Sequence, residues 1–211
     1  PMNDVTLRKK PKQARSLARF EGILDHAEAM ISEQGFESLK MNELARRADV
    51  NIASIYQYFP NRAVVARAIV ERTLELYRGE LALALAEVQA GTQQPGMALI
   101  DAMLEKLLAH YYEFLAQRPT FLMVWGAVRG NPDFIKLNMQ DSQTNAELIV
   151  QAMQRIGVNV APETLSTAAF LVCEITEPVM QALLNSDEAQ AEKLLVQYKL
   201  MLSSYFRALI E

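Results

Sequence analysis

The stretch MNELARRADVNIASIYQYFPNRAVV, residues 41–65, decides the fold of this 211-residue chain. Its apolar residues recur at helical spacing in two short runs, which the three residues Asp49-Val50-Asn51 separate. Asn51 can cap the second helix and Pro60 ends it. Five inward-facing side chains are expected to fix the angle between the two helices: Leu44, Ala45, Val50, Ile55 and Phe59.

Two short helices joined by a tight turn form the helix-turn-helix arrangement, in which the second helix enters the major groove of DNA. The outer face of the second predicted helix carries small and polar side chains, Ala53, Ser54, Gln57 and Tyr58, which suit such a groove. An ordinary αα-hairpin has the same periodicity, so the pattern alone leaves both interpretations open.

The rest of the chain also predicts helices and no strand, because no segment alternates apolar and polar residues with β-branched enrichment. Gly35 is expected to end the first helix in a left-handed, Schellman-type conformation, and Asn61 and Asn131 can cap later helices. The further helices are expected at residues 15–34, 62–90, 97–117, 119–129, 131–155, 162–185 and 187–210. The fold is therefore predicted to be all-α, with nine helices in two domains.

The charge of the chain is unevenly distributed. Residues 1–67 hold 11 basic and 8 acidic residues, a net charge of +3, whereas the remainder holds 10 basic and 17 acidic residues, a net charge of −7. A basic segment on an acidic chain is typical of contact with nucleic acid or a membrane surface. A solvated N-terminal tail is the simpler alternative.

The composition excludes several classes of protein. Cys173 is the single cysteine, and with only His26 and His110 beside it a zinc site of the usual ligands is not expected. The sequence has no nucleophile–base pair and no glycine-rich phosphate loop, so neither an enzyme nor a cofactor is expected. It has no run of about 18 uncharged apolar residues and no apolar N-terminal segment, so we expect a cytoplasmic protein without membrane contact.

Residues 41–65 resemble the DNA-binding signature of the TetR family of bacterial transcriptional regulators. The matches are Leu44, Ala45, Ala48, Val50, Ile55, Tyr56, Tyr58, Phe59, Asn61 and the basic Arg62. The preceding segment is similar to the family's first helix, so the resemblance covers about residues 12–70, with matches at Ile23, Leu24, Ala27, Gly35, Phe36 and Leu39. The sequence departs from the usual threonine, glycine, serine and glycine at Lys40, Asp49, Asn51 and Ala53.

The resemblance implies a set of DNA contacts. Phosphate contacts are expected from Arg15, Lys40, Tyr56, Tyr58 and Arg62. Base contacts are expected from Asn42, Ala53, Ser54 and Gln57. Glutamine can bond adenine in a bidentate manner and alanine can touch a thymine methyl group, which supports this division. For Tyr56 a partly buried core phenol, and for Gln57 a merely solvated side chain, stay open as alternatives.

The resemblance also implies the domain organisation. Residues 1–14 are expected to be a basic flexible arm that follows the DNA backbone or enters the minor groove, with a disordered tail as the alternative. Residues 15–60 form the helix-turn-helix domain, 61–90 the connecting helix, and 91–211 the effector-binding and dimerisation domain.

In the C-terminal domain the resemblance implies a pocket for a small-molecule effector and a four-helix dimer interface. The candidate pocket residues are His110, Tyr111, Phe114, Trp125, Glu174 and Thr176. The candidate interface residues are Val172, Ile175, Val179, Leu183, Leu194, Tyr198, Met201 and Tyr205. Core packing or an internal partner is the alternative for His110 and Glu174. The methionine-rich composition weakly favours a hydrophobic or amphipathic effector, although methionine also fills cores.

The function implied by the resemblance is that of a dimeric repressor, released from a near-palindromic operator when the effector binds. A regulator of the same fold that activates transcription, or that has no small-molecule effector, is the alternative. An all-α enzyme is a more distant alternative.

Overall fold

The computed structural model describes residues 11, 13–88 and 97–210, and over these residues the chain is all-α without a strand. Most of the basic arm, the last two residues of the helix predicted at 62–90, and residues 91–96 lie outside the described residues. A short 3₁₀ helix, Phe36–Ser38, follows the first helix and was not predicted. The nine α-helices of the described part are α1 (Ala14–Gln34), α2 (Met41–Arg47), α3 (Ile52–Tyr58), α4 (Arg62–Val88), α5 (Met97–Ala116), α6 (Pro119–Val128), α7 (Pro132–Arg155), α8 (Pro162–Leu184) and α9 (Glu188–Ile210).

The three asparagines predicted to cap helices are confirmed as caps. The Asn51 side chain accepts a hydrogen bond from the Ala53 amide at 2.8 Å at the start of α3. Asn61 accepts one from the Val64 amide at 3.0 Å, and Asn131 accepts one from the Asp133 amide at 2.9 Å. Each bond satisfies an amide that the first turn of a helix leaves unpaired.

One of the predicted backbone details is wrong. Gly35 has a φ of 80° but a ψ of 167°, a region that essentially only glycine adopts, so α1 does not end in a Schellman turn. Lys40, which replaces a capping threonine, makes no side-chain cap to α2. Asp49 adopts a φ of 50°, as expected for an acidic residue in place of the turn glycine.

The chain divides into two compact units. The head unit comprises Pro1–Glu75 with Arg118–Lys136, and the body unit comprises Leu76–Gln117 with Leu137–Glu211. The domain boundaries given above stay a prediction. In the head unit, α6 packs against α1 and the 3₁₀ helix. Arg72 of α4 also ties α4 to α1, because its guanidinium pairs at 2.8–3.0 Å with Glu21, Asp25 and Glu28.

The body unit is built around α5, α8 and α9, which pack against one another. α5 and α9 are joined by Lys199, which donates to Glu105 at 2.7 Å, and by Ser203, which donates to Asp101. α8 continues through Pro178.

Among the described helices, α8 alone is long and apolar enough to cross a membrane by length and composition. The expectation from the sequence concerned an uncharged apolar run of about 18 residues, and α8 is not such a run because Glu174 and Glu177 lie inside it. Of this apolar stretch 33% is buried, and Leu165, Ala168 and Ala169 are fully so.

Candidate functional site

The turn between α2 and α3 is held by the side chains that the sequence predicted to face inward. Leu44, Ala45, Ile55 and Phe59 are buried, with Val50 partly so. The Val50 amide donates to the Ala45 carbonyl at 3.0 Å and closes the turn. The Phe59 ring stacks on Phe20 of α1 at a centroid distance of 4.8 Å. These contacts anchor the inner face of α3 in the head unit, so the opposite face of the helix points away from the core.

The outer face of α3 carries the residues predicted to contact bases. Ala53 and Gln57 lie one helical turn apart and are exposed, and Ser54 is half-buried. Tyr56 is 45% exposed, so nearly half of this residue is available to a partner. Asn42 on α2 is exposed as well. The structure thus leaves these side chains available to a ligand, as direct contact with base edges requires.

The predicted phosphate contacts differ in how available they are. Arg15 and Lys40 are exposed. The Tyr58 ring packs edge-on against Phe20 at 5.9 Å and lies 6.2 Å from Phe59, so most of this residue belongs to the core of the head unit.

Arg62, at the start of α4, has two partners within the head unit. Its Nη1 lies 2.9 Å from Glu37 Oε2, and its guanidinium carbon lies 5.5 Å from the centroid of the Phe36 ring. Both partners come from the 3₁₀ helix that the sequence did not predict. These contacts hold the Arg62 guanidinium in place. However, the Glu37 carboxylate pairs with this guanidinium, which is expected to contact a DNA phosphate.

Two arginines on α2 were not assigned a role from the sequence. Arg46 pairs with Glu43 at 2.6 Å, and Arg47 pairs with Glu33 at 2.8 Å and with Glu43 at 3.2 Å. Hydrogen bonds from Arg46 and Arg47 lower the pKa of Glu43 to about 2. The i,i+3 and i,i+4 spacing of Glu43 to Arg46 and Arg47 is the sequence signal that could have predicted these two ion pairs. Arg46 stays 74% exposed, so a cation remains at the surface of the helix-turn-helix.

In the body unit three of the predicted pocket residues meet around a residue that sequence analysis missed. The Tyr77 ring of α4 lies 4.6 Å from Tyr111, 5.0 Å from Phe114 and 6.3 Å from His110. Burial raises the pKa of Tyr77 and of Tyr111, so both phenols stay protonated and can donate hydrogen bonds. Tyr77 was missed because it lies in a helix interpreted only as a connector.

Arg78, the residue that follows Tyr77, pairs with a buried carboxylate. Asp141 of α7 is 7% exposed and pairs with Arg78, and its other oxygen accepts from Asn145 Nδ2 at 2.8 Å. Burial raises the pKa of Asp141, and the hydrogen bonds from Arg78 and Asn145 oppose that rise. Arg78 Nε and Asn145 Oδ1 are buried without a hydrogen-bond partner in the part of the chain that the structure describes. Such atoms are uncommon in native proteins, so these two are a candidate donor and acceptor for a ligand.

Three other predicted pocket residues have different surroundings. The Thr176 hydroxyl bonds the Val172 carbonyl and, at 2.7 Å, the Tyr198 hydroxyl, so it already has two partners within the body unit. Glu174 accepts from Asn138 at 3.1 Å, an internal partner. Trp125 belongs to the head unit, where its ring stacks on Phe121 at 6.2 Å.

The predicted dimer residues fall into two groups. Val172, Leu183 and Tyr198 are buried within the body unit, so for them the assignment to an exposed interface is corrected: their side chains pack in the unit's own core. Val179 and Leu194 are half-buried. Ile175, Met201 and Tyr205 are exposed, and they share the surface of α8 and α9 with exposed apolar residues that were not predicted: Leu171, Val196 and Leu200.

The fold and the outward-facing α3 define the class of the protein: a helix-turn-helix DNA-binding transcriptional regulator. Residues 23–69 match the family model for bacterial regulatory proteins of the tetR family, and residues 100–206 match the tetracyclin repressor-like C-terminal domain. Because the second match alone covers half of the chain, the chain belongs to the TetR family. The TetR resemblance and the all-α fold expected from the sequence are thereby confirmed.

Individual relatives are distant. The chain is 26% identical over 121 residues to the A-factor receptor protein of Streptomyces griseus, a match that covers 57% of this chain and 40% of that protein. It is 22% identical over 136 residues to the regulator UidR of Escherichia coli strain K12, with 63% of each chain covered. The matches thus span less than two thirds of either relative. UidR is an HTH-type transcriptional regulator, and the TetR family is generally not enzymatic.

A solved structure supports the fold over nearly the whole chain. A TetR-family transcriptional regulator from Streptomyces coelicolor aligns with a TM-score of 0.66 and 22% identity, covering 90% of this chain and 99% of that one.

Proposed function

We propose that this protein is a dimeric, ligand-responsive repressor in the cytoplasm, which binds a near-palindromic operator through α3 and is released by a small hydrophobic or amphipathic effector. The observation that carries the DNA-binding part is the division of α3 into two faces. Ile55 is fully buried, whereas Ala53, Tyr56 and Gln57 are exposed. Two such helices in a dimer would enter successive major grooves about 34–36 Å apart.

Support for a dimer comes from the exposed apolar side chains of α8 and α9. Val196 is 55% and Leu200 58% exposed on α9, and Leu171 and Ile175 lie on α8. Contiguous exposed apolar residues on paired helices are typical of a protein–protein interface. A two-fold interface between copies also agrees with a near-palindromic DNA site.

Support for an effector site comes from the body unit. The aromatic cluster around Tyr77 supplies apolar surface, and Arg78 Nε and Asn145 Oδ1 supply a donor and an acceptor without partners in the described part of the chain. Both of these residues bond the buried Asp141. Apolar walls with a few convergent polar groups are the usual make-up of small-molecule sites. An effector releases the protein from DNA only if it binds the DNA-free arrangement more tightly.

The proposal is tested by selecting fragments of genomic DNA with the purified protein, followed by run-off transcription from the selected promoter. A repressor lowers transcript yield as the protein is added, and activation of the same promoter would favour the alternative of an activator. Native mass spectrometry of protein purified from its host is expected to show a small-molecule adduct. If the protein carries no adduct and an extract of the host leaves its DNA binding unchanged, the alternative of a regulator without an effector is favoured.

A further inference from the structure

A groove of about 700 Å³ lies in the body unit between α5, the C-terminal end of α8 and the N-terminal end of α9. α5 and α9 run antiparallel and are joined by the bonds Ser203–Asp101 and Lys199–Glu105. The groove starts at the Lys199–Glu105 bond and continues towards the beginning of α9. No residue of the predicted effector pocket lines it.

Six of the thirteen residues that line the groove are aliphatic. Tyr112 supplies an aromatic ring beside this aliphatic surface. The volume and the apolar lining are those of a small-molecule site. The aliphatic lining residues are Leu108, Ala109, Leu183, Leu184, Ala191 and Leu195.

The charged residues of the groove are almost all acidic. Four glutamates line it against the single basic residue Lys199, which pairs with Glu105. The other three, Glu113, Glu188 and Glu192, have no ion pair in the part of the chain that the structure describes. The helix dipole at the start of α9 favours Glu188, but Glu188 and Glu192 are an i,i+4 pair of like charges, which is unfavourable. A cation placed between these carboxylates would relieve that repulsion.

We propose that the groove binds an amphipathic organic cation, such as an ammonium group on an alkyl chain or a ring system. The cationic group lies among the three unpaired carboxylates and against the Tyr112 ring, which attracts cations through its π face. The apolar body lies along the aliphatic lining. Charge complementarity selects this occupant over an anionic or an uncharged one. The site is separate from the effector site around Tyr77 and does not depend on the proposed function.

Isothermal titration calorimetry on the full chain tests the proposal with decyltrimethylammonium below its critical micelle concentration. Decyl maltoside, with the same alkyl chain and no charge, is the ligand control. The groove variant is Glu113→Gln with Glu192→Gln. The charge-matched control variant is Glu147→Gln with Glu163→Gln, two exposed glutamates of the body unit outside the groove. Circular dichroism verifies that both variants fold.

The native protein and the control variant are expected to bind the cation with equal affinity and more tightly than decyl maltoside. The groove variant is expected to bind the cation at least about tenfold more weakly, because two of the carboxylates are lost. Equal affinity of the groove and control variants, equal affinity for both ligands, or no binding by the native protein would overturn the proposal. Self-association that the groove variant abolishes would instead identify a second copy of the chain as the occupant, and would overturn it too.

Discussion

Arg62 Nη1 lies 2.9 Å from Glu37 Oε2, at the junction between the helix-turn-helix and α4. The same guanidinium lies over the ring of Phe36. Both partners, Glu37 and Phe36, come from the 3₁₀ helix that follows Gly35. Gly35 has a backbone conformation that essentially only glycine adopts, and it connects α1 to this 3₁₀ helix. A cation that is expected to contact a DNA phosphate is therefore already oriented, but by a residue that competes with the phosphate.

This competition leads to a prediction for Glu37→Gln. Removing the carboxylate frees Arg62 and removes a negative charge close to the DNA, so affinity for any duplex is expected to rise about two- to tenfold. Fluorescence anisotropy with a non-specific duplex at fixed salt measures the change. Glu163→Gln, which makes the same charge change on an exposed residue of α8, serves as the control. Unchanged affinity in Glu37→Gln would show that Glu37 does not restrain DNA binding.

The two exposed cations assigned to phosphates predict a change in salt dependence. Replacing Arg15 and Lys40 by glutamine is expected to reduce the slope of log affinity against log salt by about 2, since each cation releases about one counterion on binding. The control replaces Lys193 and Arg207 on α9, which are exposed and belong to the body unit. The assignment fails if both double variants keep the native slope.

The sequence predicted the fold and the outer face of α3 because both depend on local signals. Asn51, Asn61, Asn131 and the prolines mark helix ends, and the apolar spacing of residues 41–59 fixes which side of α3 is buried. The sequence could not separate the core residues of α8 and α9 from the proposed dimer face, because an apolar stripe does not show which residues pack inside the chain: Tyr198 bonds Thr176 in the core, whereas Leu200 is exposed.

Pairs distant in sequence could not be predicted from periodicity either. Glu37–Arg62, Arg78–Asp141 and Asn138–Glu174 form only when helices that are far apart along the chain meet. Tyr77 was missed for the same reason, because its ring meets Tyr111 and Phe114 only when α4 and α5 come together.

The proposed dimer face on α8 and α9 gives a prediction that separates buried from exposed residues. Leu200→Glu is expected to shift the protein to a monomer in analytical ultracentrifugation, because a carboxylate cannot be buried unpaired in an apolar interface. Tyr198→Phe is expected to stay dimeric and to lose about 1 kcal/mol of unfolding free energy through its lost hydrogen bond to Thr176. A Leu200→Glu dimer of native affinity would exclude this surface from the interface.

The single cysteine predicts low thiol reactivity. Burial raises the pKa of Cys173 to about 12, with Asp141 and Glu174 acting in the same direction. The thiolate is the reactive form, and at pH 8, well below this pKa, its population is small. Reaction with Ellman's reagent at pH 8 is therefore expected to be slow in the native protein and fast in urea. A fast native reaction would contradict the environment described for Cys173.

The most direct test of the central claim is binding of the selected operator duplex by the double variant Tyr56→Ala with Gln57→Ala. Both side chains are exposed, so the variant is expected to keep the native melting temperature. We expect its affinity for the operator to fall by at least about a hundredfold, because a base contact and a phosphate contact are lost together. Operator binding at native affinity by the folded double variant would contradict the assignment of α3 as the helix that recognises DNA.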